Sequence, residues 1–396
     1  MIRFHLSVGR GLVWSVMGCA VVSALTALPC AAAVDPERNA PIRIGSVSSL
    51  TGPARFPESS AAVRAYFDSV NAGGGIRGRR LELIVEDDKG DAAEARNAAR
   101  RLVDDQRVLA MVGSASIVDC ASNAAYYQRS NLMSIQGTGI EPECFAAGHV
   151  VPVNAGPYLS VRNALQFSRE TLKATRPCAI ILDLPGTRAA FDDVIGVWTR
   201  EGGVAMAHVA RFGPGADIEA LVKQAAAKRC DAVVHTGVEP MVLEWIRSVQ
   251  QLGVLTGVPT IFLTPAYTER VAAELRETAL PIYCMAEFEP WSSRSLTLTD
   301  WRGMMQRAKV PPSSFAQGGY VAAQVLVRAL RGIDGELSRQ AVSGALRAVA
   351  NVDLAMVGTR FSIGPGTRHN PNRATLPMKL DHGTWRIASP VWVVAP

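Results

Sequence analysis

The chain has 396 residues, 48% of them hydrophobic and 19% charged, which is enough apolar material for a sizeable core and more than one domain. Its formal charge of +6, its 6% aromatic content and the lack of any Lys/Arg run exclude a nucleic-acid-binding arm. The balance is that of a mildly basic globular protein.

Residues 1–33 read as an export signal. Arg3 and Arg10 form a positive start, residues 11–28 an apolar run, and Ala31-Ala32-Ala33 a small-residue cleavage site before Val34. The competing reading is a permanent anchor, because the uncharged run is about long enough to span a bilayer; the cleavage-like end favours removal. Pro29 before Cys30, and the apolar run past Cys19, argue against lipidation of either cysteine. Cleavage would lower the net charge to about +4. It would leave Cys120, Cys144, Cys178, Cys230 and Cys284, an odd set with at least one free thiol in an oxidising compartment.

A buried strand is predicted over residues 41–50, and Gly52, Pro53 and Pro57 break it. Val63, Tyr66, Phe67 and Val70 then fall at i, i+3, i+4 and i+7, one face of a helix. The glycines Gly73, Gly75 and Gly78 have dinucleotide-fingerprint spacing. They follow a helix and precede the strand at 81–88, the reverse of what a pyrophosphate site needs, so they read as a turn. A helix starts at Asp91, and strands at 108–113, 132–137 and 149–154 alternate with further helices. The alternation resumes with strands at 178–184, 204–212, 230–237, 259–263 and 282–288. Ile218, Leu221, Val222 and Ala225 form another helical stripe. Three helices and a hairpin turning at Asp381-His382-Gly383 close the chain. About ten strands in βα alternation predict two doubly wound α/β lobes with parallel sheets.

Catalytic patterns do not emerge. The sequence lacks H-E-x-x-H, G-x-S-x-G, a P-loop and C-x-x-C. The six histidines are scattered, and His149, His208 and His235 beside strands read as structural residues. In "EDDKGD", Asp87 and Asp88 lie at a loop mouth and Asp91 caps a helix. Glu287 and Glu289, at a strand end, would serve as an acid/base pair only if both faced one cleft. No enzyme, metal or cofactor is expected.

Several stretches, taken together and in order, resemble a known family. "IRIGSVSSLTGP", "VNAGGGIRGRRLELIVEDD", "VLAMVGSAS", "LMSIQGTG" and "HVVPVNAGPY" are similar to the branched-chain amino acid-type substrate-binding proteins of ABC transporters, within the type I periplasmic binding proteins. The resemblance covers nearly all of the chain after the leader. It implies two lobes joined by a three-crossover hinge with a ligand cleft between them. Lobe 1 would comprise residues 41–154 plus 282–355, and lobe 2 residues 155–281 plus 356–396.

The same resemblance implies a set of contacts. The loop "GSAS" brings Ser114, Ala115 and Ser116 to a ligand carboxylate, and the helix start behind it favours an anion. Thr138 and Gly139 match a second loop with their order shifted, and Phe56 a lid aromatic. Val238 and Glu239 stand where the family has a tyrosine-bearing loop, and Gln317 near a cleft aromatic. Ala266, followed by Tyr267, stands where amino-acid binders carry a carboxylate for the ligand ammonium. Either Glu239 substitutes for it or the ligand has no ammonium, which favours a small aromatic or aliphatic acid over an amino acid. Cys120 and Cys144 flank the two candidate loops and would staple the cleft wall. Cys178 and Cys230 each open a strand and could pair, or serve with Cys284 as buried small hydrophobes. The implied role is a periplasmic, monomeric, non-catalytic capture of a small solute for an ABC permease in the inner membrane. A ligand-sensing subunit of a receptor or two-component system is the alternative.

Overall fold

The computed structural model describes residues 40–394 apart from Pro53 and Gly203. The predicted leader, with His5, Cys19 and Cys30, lies outside the described residues.

β1 (Ile42–Ser48) is buried at all but one position, as its apolar run requires. α1 (Pro57–Ala72) begins with proline in the first turn, where the missing N–H leaves no bond unmade. It buries Val63, Phe67 and Val70. The glycine segment after it is a turn, as predicted. Ile76 and Arg79 form an isolated bridge across it. Gly75 has φ +72° and lies so near the returning chain that a Cβ would sit 2.1 Å from the Arg79 carbonyl. β2 (Leu81–Asp87) then pairs parallel with β1. Asp91 caps α2 (Ala92–Arg100) by accepting from the N–H groups of Ala93 and Glu94. β3 (Met111–Ala115), α3 (Asp119–Arg129), β4 (Ser134–Thr138), α4 (Pro142–Ala146) and β5 (Val150–Pro152) complete a parallel sheet of order β2-β1-β3-β4-β5. The observed β3 starts later than the predicted strand, because Val108 to Ala110 approach β1 as an irregular segment.

The second unit repeats the design. α5 (Gly156–Glu170), β6 (Pro177–Leu182), α6 (Arg188–Gly202), β7 (His208–Phe212), α7 (Ile218–Ala227), β8 (Ala232–His235), α8 (Glu239–Leu252), β9 (Thr260–Leu263), α9 (Glu269–Glu274) and β10 (Ile282–Ala286) follow in sequence. Their strands lie parallel in the order β7-β6-β8-β9-β10, the same winding as the first sheet. α10 (Thr299–Ala308), α11 (Ser314–Arg331) and α12 (Arg339–Arg347) precede the hairpin of β11 (Ala374–Asp381) and β12 (Thr384–Ile387). The hairpin adds antiparallel to β10, and β13 (Val393–Val394) pairs with β11.

Two predicted boundaries shift. Residues 282–286 were expected in lobe 1 but pair with β9 and β11, so β10 belongs to the second sheet and the chain crosses after Ala286. Met356, Phe361 and Ile363, expected in lobe 2, pack into the first lobe's core. Buried side chains cover both faces of each sheet. The tightest seam is α11 against α1 and β4, where a Cβ on Gly319 would lie 2.0 Å from the Ser59 carbonyl and one on Gly318 2.1 Å from that of Gly137. Among the described residues, no helix is long and apolar enough to cross a membrane.

Candidate solute-binding site

A cavity of about 310 Å³ lies between the two sheets, beyond the carboxyl ends of their strands. The first lobe supplies Ala54 and Phe56 from the loop after β1, Ile117 after β3, Thr138, Gly139 and Ile140 at the end of β4, and Phe315 at the start of α11. From the second come Leu182 and Leu184 after β6, Phe191 on α6, Pro214 after β7, Val238 and Met241 after β8, and Leu263, Thr264 and Pro265 after β9. Asn154 and Glu287 sit where the chain crosses between lobes, and the wall is predominantly hydrocarbon.

Most polar groups on that wall are already committed. Thr187 Oγ1 donates to the Leu184 carbonyl at 2.8 Å, and Thr264 Oγ1 to that of Met285 at 2.9 Å. Thr236 Oγ1 accepts from the Leu182 N–H at 2.7 Å. Among the described residues, the Thr138 hydroxyl has no protein partner. Asn154 clamps the loop beside it, accepting from the Gly139 N–H at 2.8 Å and donating to its carbonyl at 3.2 Å.

Glu287 is the one titratable side chain on the wall among the described residues. Its Oε1 accepts from the Gly156 N–H at 2.6 Å, and Asn154 and Ser160 lie at 3.3 Å. Burial outweighs these donors and pushes its pKa up to about 7. Glu289 turns away to Ser293 and Thr297, so the two do not face one cleft; residues two apart share a face only within a strand, and β10 ends at Ala286.

The predicted contact residues divide. Phe56, Thr138, Gly139 and Val238 line the cavity. Ser114, Ala115, Ser116, Glu239, Tyr267 and Gln317 lie off that wall. Ser114 Oγ accepts from the Val47 N–H, and Ala115 is buried in β3. Ser116 Oγ donates to Asp88 and accepts from the N–H groups of Val118 and Asp119, so its capacity is spent at the start of α3. Glu239 accepts from Thr268 Oγ1 at 2.8 Å and pairs with Arg270 at 3.0 Å. Tyr267 stacks on Trp291 and bonds Ser292, and Gln317 donates to the Glu289 carbonyl. Ala266 is buried in the second core. Whereas the family resemblance points to the position of Ala266, the cavity carboxyl is Glu287. Its signal was present as the acidic end of a strand, but the crossover that turns it inward is a tertiary feature.

Behind the first-lobe loops lies a buried acidic network. Asp119 accepts from Asn123, Tyr127 and Gln136, yet burial still pushes it up to about 6. Glu141 accepts from the Cys120 and Ala121 N–H groups at the start of α3, and burial followed by the charge of Asp119 pushes it up to about 7. Asp88 accepts from Ser49 and Ser116, while Asp87 clamps Leu50, Thr51 and Lys89. Asp87 and Asp88 are thus loop clamps. Cys120 and Cys144 form a disulfide, as do Cys178 and Cys230, and Cys284 is a buried thiol.

Two doubly wound lobes closing on an apolar cavity at three crossovers define a two-lobed binding protein of the type I periplasmic fold. The chain belongs to the periplasmic binding protein family, whose model matches residues 41–384. Among solved structures, it is similar to a possible leucine/isoleucine/valine-binding protein from Rhodopirellula baltica, with TM-score 0.75 and 18% identity over 90% of this chain and 98% of that one. A fatty acid ABC transporter substrate-binding protein from Thermomonospora curvata matches with TM-score 0.74 and 17% identity, covering 88% and 91%. The branched-chain amino acid transporter substrate-binding protein LivJ from Streptococcus pneumoniae, in complex with isoleucine, matches with TM-score 0.71 and 17% identity, covering 90% and 99%. At these identities the likeness is one of fold. No curated protein matches the sequence.

Proposed function

We propose that this chain is the solute-binding component of an ABC transporter. It would take a small, largely apolar solute into the cavity between its lobes and present it to an inner-membrane permease. The observation that carries this reading is the cavity itself, about 310 Å³ and walled by hydrocarbon from both lobes, a size and polarity suited to a small ligand. Burying an apolar body of four to eight carbons there is favourable by about 0.8 kcal/mol per CH₂. Because both lobes contribute, one solute can hold them together by hinge closure. A carboxylate on the solute would find its donor in the Thr138 hydroxyl, which the protein leaves free.

The test is a thermal-shift panel on the purified chain with L-leucine, 4-methylpentanoate, 3-methylbutylamine, benzoate and octanoate. A solute at about 100 times its dissociation constant should stabilise the fold by roughly 2.7 kcal/mol, a rise of several degrees. At least one member is expected to give it. No shift with any of them, together with no binding by calorimetry, would contradict capture of a small apolar solute.

A further inference from the structure

Resting on the solute-binding reading above, we propose that Glu287 is the counter-ion for a cationic nitrogen on the solute, and that it holds this charge on the hinge where the three crossovers meet.

The first support is the state of the carboxyl. Glu287 is 5% exposed and lies on the cavity wall. Its partners are all neutral: the Gly156 N–H, Asn154, Ser160 and, more weakly, Thr264. The bonds from Gly156 and Ser160 and the shorter one from Asn154 fall on Oε1. Oε1 receives Gly156 at 2.6 Å, whereas the bond from Asn154 Nδ2 to Oε2 is long, at 3.5 Å. A carboxylate offers about four acceptor sites, so Oε2 retains most of its capacity. The helix start at Gly156 explains Oε1 and leaves Oε2 without a role. A buried charge is tolerated when it is paired and hydrogen-bonded. The remaining wall offers no cation among the described residues, and a cation on the solute would complete the pair.

The second support is position. The Glu287 side chain grips the first crossover through Asn154 and Gly156, and its carbonyl accepts from Asn372 Nδ2 of the third at 2.7 Å. Asn370 Nδ2 donates to the Ala155 carbonyl at 3.2 Å, tying the third crossover to the first. One residue of the second crossover therefore joins the other two and touches the cavity. An ammonium at Oε2 pairs with a group fixed to all three connections, so recognition of the nitrogen acts directly on the element that bends. The resemblance favours a solute without an ammonium because Ala266 replaces a lobe-borne carboxylate; the cavity carboxyl sits instead on the hinge.

The experiment is calorimetric titration of the full chain with three solutes sharing one apolar body: L-leucine, 3-methylbutylamine and 4-methylpentanoate. In the wild type, the amine-bearing pair is expected to bind at least tenfold more tightly than the acid. Glu287→Gln keeps an oxygen for the Gly156 N–H and removes the charge; it should weaken the amines at least tenfold and leave the acid unchanged or tighter. If the acid matches or exceeds leucine in the wild type, or if Glu287→Gln binds leucine as well as the wild type does, the assignment is overturned. Should Glu287→Gln fail to fold, the wild-type comparison alone decides. Binding of octanoate or benzoate with none of the amines would leave solute capture standing and overturn the counter-ion.

Discussion

Replacing Cys178 and Cys230 together by serine is expected to lower the unfolding free energy by about 4 kcal/mol, and removing Cys120–Cys144 by about 3.5 kcal/mol. The difference follows from the chain each bridge closes, with sequence separations of 52 and 24 residues. The longer loop has more denatured-state freedom to lose. Both pairs are buried, so serine also leaves a hydroxyl in an apolar setting, which adds to the loss. Denaturant titration of each double variant measures the effect, and a change below about 1 kcal/mol would contradict it. The two bridges should separate in function. Cys144 backs the cavity loop, since a Cβ on Gly139 would lie 3.1 Å from the Cys144 Cβ. Loss of Cys120–Cys144 should therefore loosen Thr138 to Ile140 and weaken solute binding. Cys178–Cys230 joins the start of β6 to the entry of β8, away from the wall, and its loss should spare affinity in the protein that remains folded.

Stability is also expected to rise by a few kcal/mol as the pH falls from 8 to 5. Burial raises Asp119 from 3.8 to about 6, and Glu141 and Glu287 from 4.5 to about 7. Between their unfolded and folded values, the native state holds protons that the unfolded chain has released. Unfolding stability must then fall with rising pH across that window. The stabilisation is fully present near pH 4 and is lost as the pH passes through about 6 to 7. Each group contributes on the order of 3 kcal/mol at most, by the worth of a pKa unit. Below pH 4 the trend reverses. Against the desolvation that raises it, Asp87 is held below its usual value by the Thr51 hydroxyl and loop N–H groups, and Asp91 by the N–H groups of Glu94 and Ala93; protonating them removes that contribution. Urea titrations at pH 8, 6.5 and 5 measure the slope, and Glu287→Gln should flatten it. A flat profile, or greater stability at pH 8 than at pH 5, would contradict the buried-carboxyl account.

Much of the fold was legible because its signals are local. The stripe of Val63, Phe67 and Val70, the Asp91 cap, the Gly75 turn and the hairpin at His382-Gly383 each depend on a few neighbouring residues, and each lies where the sequence places it. What the sequence misplaced depends on partners distant in the chain. β10 joins the second sheet because Ile282 to Ala286 find β9 on one side and β11 on the other. Nothing within "IYCMAEF" marks that choice. The site follows the same division. Phe56, Thr138, Gly139 and Val238 reach the wall because they sit just beyond the carboxyl ends of strands. Ser114 and Ser116 share that position, yet neighbouring backbone and Asp88 consume their hydroxyls, and a motif does not reveal such commitments. Glu287 stood in view as one of two carboxylates on a strand end, and its isolation in an apolar cavity appears only when three crossovers are brought together.

The most direct test of capture between the lobes is calorimetry on the wild type and on Val238→Trp, using the best solute from the thermal-shift panel. Val238 is half-buried on the cavity wall in an extended conformation at the start of α8, so an indole there can occupy the cavity without entering the core. The account predicts one solute per wild-type chain and at least tenfold weaker binding by Val238→Trp, with thermal stability of the unliganded protein unchanged. Equal affinity in the two proteins would place the solute elsewhere and contradict the account.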